Sequence, residues 1–237
     1  MNKNLFRTWA RGLGLAAVLC VAAGEADAAD LERVLAEFDA VQNSIQTLSA
    51  EFTETTVNSM LKDPIVAEGE FFLTKPDAIR WEYSAPEEMR FVIARDQYTG
   101  YFPTQKRAER RNIKRWSDQL FRFFGLGQGS TELAKFYRLG LEQGDAVEAG
   151  TYLLLLEPKK RRARKRVEEV RFWLDELTYL PRRVEYRGND GNVRTLEFQT
   201  ISVNPELAAG LYTVELPDDV TVTKGFSGLP NFTPATQ

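Results

Sequence analysis

The 237-residue chain contains no histidine and only one cysteine. The first absence removes Ser-His and Cys-His nucleophile systems, any histidine general base and most zinc sites. Paired carboxylates remain a formal route to hydrolysis, because acidic residues are plentiful, but none stands in a recognisable motif. A phosphate-cradling glycine loop is also missing. G-L-G-Q-G at Gly125–Gly129 follows no strand of a βαβ unit and reads as a helix stop. The formal net charge is −3, so no overall field points to nucleic acid. The apolar run Leu13–Ala23 is too short to span a bilayer.

That short run sets the compartment. Lys3, Arg7 and Arg11 surround its start, and Ala26-Asp27-Ala28 follows it with the small-x-small pattern at which a signal peptidase cuts. Residues 1–28 are therefore expected to be a cleaved secretory signal. Cys20 lies inside the run and follows Leu19, where a bacterial lipoprotein signal requires a small residue. The mature chain is expected to be unlipidated, free of cysteine and mildly acidic. It is long enough to bury a core without disulfides.

The hydrophobic period then divides the mature chain. Leu31, Val34, Leu35, Phe38, Val41, Ile45 and Leu48 recur at three- and four-residue spacing, which predicts one amphipathic helix capped by Asp30. From Ala50 the period becomes two. Strands are predicted at Ala50–Val57, Ala67–Thr74, Lys75–Pro86 and Met89–Arg95, with a short ambiguous one at Tyr98–Phe102. The connections are too short for helical crossovers, so the strands form an antiparallel meander. Residues 104–149 read as an insert with two short helices, Arg115–Gly125 and Ser130–Gly140. Strands resume at Thr151–Pro158, Val167–Asp175, Arg182–Arg187, Val193–Val203 and Leu211–Pro217, and the tight turn Asn189–Asn192 joins two of them. Residues after Gly225 read as a tail. The predicted class is α+β: a strongly curved antiparallel sheet with an N-terminal helix and a small helical lid.

Two features invite a functional reading. In K-P-D-A-I-R-W-E-Y-S-A-P (Lys75–Pro86), Ile79, Trp81 and Tyr83 share one face while Arg80 and Glu82 share the other. A sheet of this size has an apolar face too wide for one helix to cover. It either closes on a packed core or encloses a cavity for an apolar ligand, and the pattern alone leaves both open. Arg80 and Glu82 are expected to face solvent. The second feature is K-K-R-R-A-R-K-R (Lys159–Arg166), a basic run between two strands. It reads as a solvated loop, or as a docking element for anionic headgroups or an acidic partner through Lys159, Lys160, Arg161 and Arg162.

Several stretches taken together resemble the outer-membrane lipoprotein carrier protein (LolA) family. They are Ser49–Thr55, E-G-E-F-F-L-T-K-P-D-A-I-R-W-E-Y-S-A-P-E-E (Glu68–Glu88), L-L-E-P-K (Leu155–Lys159) and Y-T-V-E-L-P-D-D-V (Tyr212–Val220). The resemblance implies an incomplete β-barrel closed by a helical lid over a cavity for acyl chains, with no enzymatic activity and no cofactor. It implies a monomer in the periplasm of a Gram-negative bacterium. Its cargo would be acylated lipoproteins or related lipids, taken from an inner-membrane ABC-type lipoprotein-releasing transporter and passed to an outer-membrane lipoprotein receptor. Trp81 matches a family aromatic that lines the cavity, and Ile79 matches an apolar position near its mouth. With Phe71, Tyr83, Phe91, Trp116, Leu120 and Phe121 they form the expected acyl-binding wall.

The basic residue before the turn proline, commonly arginine in the family, latches the lid. Here it is Lys75, a point charge rather than a planar fork, so the latch is expected to be looser or differently built. D-Q-Y-T-G-Y-F-P (Asp96–Pro103) lacks the glycine that the family places after the aspartate, which marks a divergent member. The carrier domain is expected to span residues 29–224, with 225–237 as the tail. The resemblance leaves one alternative of the same fold, a regulatory module that senses mislocalised lipoproteins. Such relatives usually carry a second domain, and none is expected after Val222.

Overall fold

The computed structural model describes residues 21–58, 60–114, 129–144 and 147–226, with side chains described from Asp30 onward. The expected signal peptide up to residue 20, the helix at 115–125 with Trp116, Leu120 and Phe121, and residues 227–237 lie outside them. Helix α1 (Val21–Ser44) is followed by β1 (Thr47–Val57), β2 (Ile65–Thr74), β3 (Ala78–Ala85), β4 (Met89–Ala94), β5 (Gln97–Phe102) and β6 (Arg107–Asn112). Then come α2 (Ser130–Ala134), β7 (Tyr137–Glu142), β8 (Thr151–Pro158), α3 (Arg161–Arg164), β9 (Val167–Asp175), β10 (Pro181–Gly188), β11 (Val193–Val203) and β12 (Thr221–Thr223).

Among the described residues the twelve strands make one curved, unclosed sheet in the order β12-β6-β5-β4-β3-β2-β1-β11-β10-β9-β8-β7. Every pairing is antiparallel except the short parallel one of β12 with β6. The chain first builds a meander outward from β1 to β6. It then builds a second meander from β7 back to β11, and β11 pairs with β1 through Val57↔Val193 and Phe52↔Phe198. Both meanders therefore share one concave face. Period-two alternation delivers Leu48, Phe52, Phe71, Leu73, Ile79, Trp81, Phe91, Leu154, Phe172, Val184 and Leu196 into a single buried cluster.

α1 completes that cluster with Val34 and Phe38, spaced along one helical stripe, and Ile45 joins it just past the helix end. At one end Arg33 lies over the Tyr152 ring at 5.5 Å, and at the other the Lys75 ammonium reaches the Gln42 carbonyl at 2.6 Å. The helix thus crosses the end of the sheet where β2 stops and β8 begins. It stops at Ser44, earlier than the apolar spacing predicts, because Leu48 already belongs to β1 and pairs with Leu73.

Three predicted elements come out differently. R-A-E-R-R-N forms β6, although it is nearly all polar. Ser130–Gly140 is one helical turn followed by β7, so Gly140 is a strand residue rather than a helix stop. Leu211–Pro217 is not a strand. Both edges of β11 are already filled by β1 and β10, so the chain that follows cannot pair beside it. It crosses the convex face instead, where Arg80 donates to the Leu211 carbonyl at 2.8 Å and Tyr212 meets Thr74 at 2.7 Å. Only at Thr221 does it rejoin the sheet, on β6. Phe226, in the expected tail, packs on Tyr98 with ring centroids 4.4 Å apart.

Candidate functional site: an aromatic layer on the concave face

Register places the expected acyl-binding residues side by side. Phe71 on β2 faces Trp81 on β3, which faces Phe91 on β4, and one step along, Leu73, Ile79 and Ile93 repeat the row. The rings meet at an angle: Phe71 and Trp81 have centroids 4.8 Å apart, Phe52 and Trp81 5.2 Å, Tyr83 and Phe91 5.9 Å. These are tilted and edge-on contacts, which suit the ring quadrupoles. Trp81 is 3% exposed and Phe71 is fully buried. Gly69 makes the layer possible. At the bulge between Glu68 and Gly69 the backbone comes so close that a Cβ would lie 2.0 Å from the Glu82 carbonyl oxygen and 2.8 Å from the Phe52 ring.

The layer has a polar inclusion. Tyr83 donates to Glu54 Oε2 at 2.7 Å, Arg194 donates to the same carboxylate, and Arg194 Nη2 lies 3.2 Å from the Tyr83 oxygen. Burial pushes the Tyr83 phenol upward and does the same to neighbouring Tyr186. Burial opposes the charge on Arg194, but facing Tyr83 and Glu54 it is held above the ordinary arginine value. A buried ion pair with a shared hydroxyl partner costs desolvation and returns it through geometry. Glu54 and Arg194 escaped the sequence reading, although each stands two residues from an inward apolar neighbour, Phe52 and Leu196, and so shares its face.

Among the described residues, α2 is joined to α1 by one side chain. Asp39 on α1 accepts two bonds from Ser130 at the start of α2, one from the backbone N–H and one from the hydroxyl at 2.6 Å. An α1 carboxylate therefore satisfies the first turn of α2, and Leu133 of that turn is buried in the core. Lys75, expected to latch the lid, ties the β2–β3 turn to the last turn of α1, a favourable place for a cation. Burial lowers its basicity. Any bond from Lys75 to residues 115–128 lies outside the described residues.

Arg80 and Glu82 do not stand free in solvent. Glu82 accepts from Arg80 and from Arg90, each at 2.7 Å, under the crossing segment that holds Leu211. Burial works against the Glu82 charge, but the two guanidinium groups outweigh it and hold the carboxyl below the usual glutamate range. Lys159, Lys160, Arg161 and Arg162 sit in and beside α3, exposed, on the rim away from α1. Lys159 donates to the Ala134 carbonyl of α2, and Lys160 lies 5.9 Å from the Phe136 ring. A separate cleft of about 610 Å³ opens where β12 leaves β6, lined by Gln97, Arg110, Arg111, Asn112, Val222, Thr223 and Lys224.

The sequence profile of the family described as outer membrane lipoprotein carrier protein LolA matches residues 43–215. No curated protein sequence matches the chain. Among solved structures, the chain is similar to an uncharacterized conserved protein from Thermus thermophilus, with TM-score 0.53, 12% identity, and 82% of this chain and 98% of that one covered. It is similar to a LolA superfamily protein from Nitrosomonas europaea, with TM-score 0.40, 10% identity and 78% and 97% covered. It is also similar to the Pseudomonas aeruginosa MucA/MucB complex structure, with TM-score 0.44, 14% identity, and 78% of this chain but 61% of that one covered.

Proposed function

From the premise that this chain belongs to the outer membrane lipoprotein carrier (LolA) family, we propose that it is a periplasmic, non-enzymatic carrier. It shelters the acyl chains of lipoproteins, or of related lipids, between the two membranes. On this reading residues 1–28 are removed on export and residues 29–224 form the carrier. Loading would come from an inner-membrane ABC-type lipoprotein-releasing transporter, and unloading would go to an outer-membrane receptor.

One observation carries the reading: Phe71, Ile79, Trp81, Tyr83 and Phe91 form a continuous apolar layer buried in one concave cluster with Val34 and Phe38 of α1 and Leu133 of α2, and α2 is tied to α1 by the Asp39–Ser130 contact. On this reading the concave face has two accessible states, one packed against α1 and α2 and one opened by ligand. Closed, the layer is a packed core. Open, it offers rings and methyl groups to acyl chains, each methylene of which gains roughly 0.8 kcal/mol on leaving water. An acylated protein needs such shelter to cross the aqueous space, and release needs only a receptor that competes for the chains.

Titration with a fluorescent fatty-acid analogue tests this. Wild type should bind saturably and Trp81→Glu should lose most of the binding. Equal binding by both proteins would remove the concave face from the function.

A further inference from the structure

The end of the sheet opposite α1 combines two unusual features. The β1–β2 hairpin stands proud of its neighbours. β3 pairs with β2 only from Glu68 onward, and β11 begins at Val193 opposite Val57, so Asn58 and residues 60–67 extend beyond both. Asn58 shapes the tip, its side-chain oxygen accepting from the Met60 N–H at 2.8 Å and its carbonyl from the Leu61 N–H at 3.0 Å. The result presents apolar side chains to water: Met60 is 86% exposed and Leu61 50%, with Val57, Ile65 and Val66 exposed behind them. Large apolar groups gathered on a protruding tip are not an ordinary surface.

Along the same rim lies the basic run. Strand polarity puts the β1–β2 tip, the β10–β11 turn (Gly188–Asn192) and the β8–β9 connection with α3 at one end, in that order around the sheet. The last two are bonded together, Asn189 N–H to the Arg166 carbonyl at 3.3 Å and the Asn189 amide to the Arg164 carbonyl. β1 and β9 are three strand spacings apart, about 15 Å. Residues 159–166 carry seven cations in eight positions and are exposed throughout. Arg164 turns back to cap Pro158 and Lys159, and Lys160, Arg161, Arg162 and Lys165 are exposed. The acidic groups of this end include Asp63, Glu68, Glu87, Glu88, Glu157, Glu168 and Asp190, with Glu157 paired to Arg138, but residues 159–166 themselves carry no negative charge.

We propose that this rim docks on a bilayer containing anionic phospholipid, with Met60 and Leu61 entering the headgroup layer and α3 lying on the phosphates. A convex tip led by two side chains suits a fluid interface. A stable protein interface needs about 800 Å² of complementary surface on each partner, which such a tip does not offer. Apolar insertion and basic attraction reinforce each other at a membrane, and neither anchors firmly alone. Because α1 crosses the other end, docking turns the end that α1 leaves uncovered toward the lipid. The inference goes beyond the carrier reading and needs no acyl cargo, so failure of either leaves the other standing.

The test is co-sedimentation of the chain recovered from periplasmic extracts with vesicles of phosphatidylcholine, alone or with phosphatidylglycerol. Wild type should sediment with the anionic vesicles, less so as salt rises, and not with the neutral ones. Met60→Asp with Leu61→Asp, and separately Arg161→Glu with Arg162→Glu, should each weaken binding about tenfold or more. All four positions are exposed, and unchanged thermal melts would confirm folding. A polarity-sensitive dye on Met60→Cys should shift to the blue only with anionic vesicles. Equal binding to neutral vesicles, wild-type binding by the hairpin variant, no dye shift, or no vesicle binding at all would each overturn the proposal.

Discussion

The Asp39 carboxylate accepts both the backbone N–H and the hydroxyl of Ser130, 91 residues further along the chain. This bond pair joins α1 to the only helical turn described between β6 and β7, whose Leu133 is buried in the same core cluster as the aromatic layer. Asp39→Ala should cost about 1.5–3 kcal/mol, the range for hydrogen bonds to a charged group. It should also raise hydrogen exchange in residues 129–136 more than in β8 or β9. Exchange mass spectrometry resolves the two regions, and uniform acceleration across the sheet would mean that the contact serves global stability alone.

The Glu54–Tyr83–Arg194 cluster makes a different prediction. Glu54→Gln and Arg194→Met should each destabilise by about 3–5 kcal/mol, because each leaves a buried charge without its counter-charge. The double variant should cost clearly less than the two singles together. Urea unfolding of the four proteins measures the coupling.

Gly69→Ala should be among the most damaging single-methyl additions in the sheet. The new Cβ would meet the Glu82 backbone carbonyl, which cannot move without breaking the β2–β3 ladder. A loss of about 1–3 kcal/mol or more is expected. Phe52→Ala in the same chain relieves only the second clash, with the ring, and should not restore stability.

On the convex face Glu82 links stability to pH. Its folded-state pKa is lowered, so the folded chain binds fewer protons than the unfolded one in the acid range. The contribution is complete above the ordinary glutamate value and is lost as pH falls through the depressed one. Glu82→Gln should therefore flatten the acid limb of a melting-temperature profile while leaving its slope near neutrality unchanged. Tyr83 acts at the other extreme. Its raised pKa means that ionisation favours the unfolded chain, so stability should fall as pH rises past the ordinary tyrosine value, and less so in Tyr83→Phe.

Much of this architecture is legible in the residues, and the exceptions have physical causes. Thr151–Pro158, Val167–Asp175 and Val193–Val203 coincide with β8, β9 and β11, because burial on one or both faces writes period two, or a continuous apolar run, into the chain. β6 was hidden because R-A-E-R-R-N sits near the edge of the sheet, where little of a strand need be apolar. Leu211–Pro217 has a strand's alternation but no vacant edge beside β11, and topology overrode pattern. In the site, the alternation of Ile79, Trp81 and Tyr83 predicted their common face. Glu54 and Arg194 had the same phase as their apolar neighbours, yet a charge on an inward position looks like an error until its partner is known. The Lys75–Gln42 bond could not be foreseen, because it depends on where α1 ends.

The central claim is that the aromatic face carries acyl chains. Mass spectrometry of the protein recovered from the periplasm under non-denaturing conditions tests it most directly. The account predicts a bound acylated lipoprotein or lipid on wild type, and its loss from Trp81→Glu protein that, though destabilised by the buried carboxylate, is recovered folded. Wild-type protein that carries no acylated species, or a Trp81→Glu variant that carries the same load, would contradict it.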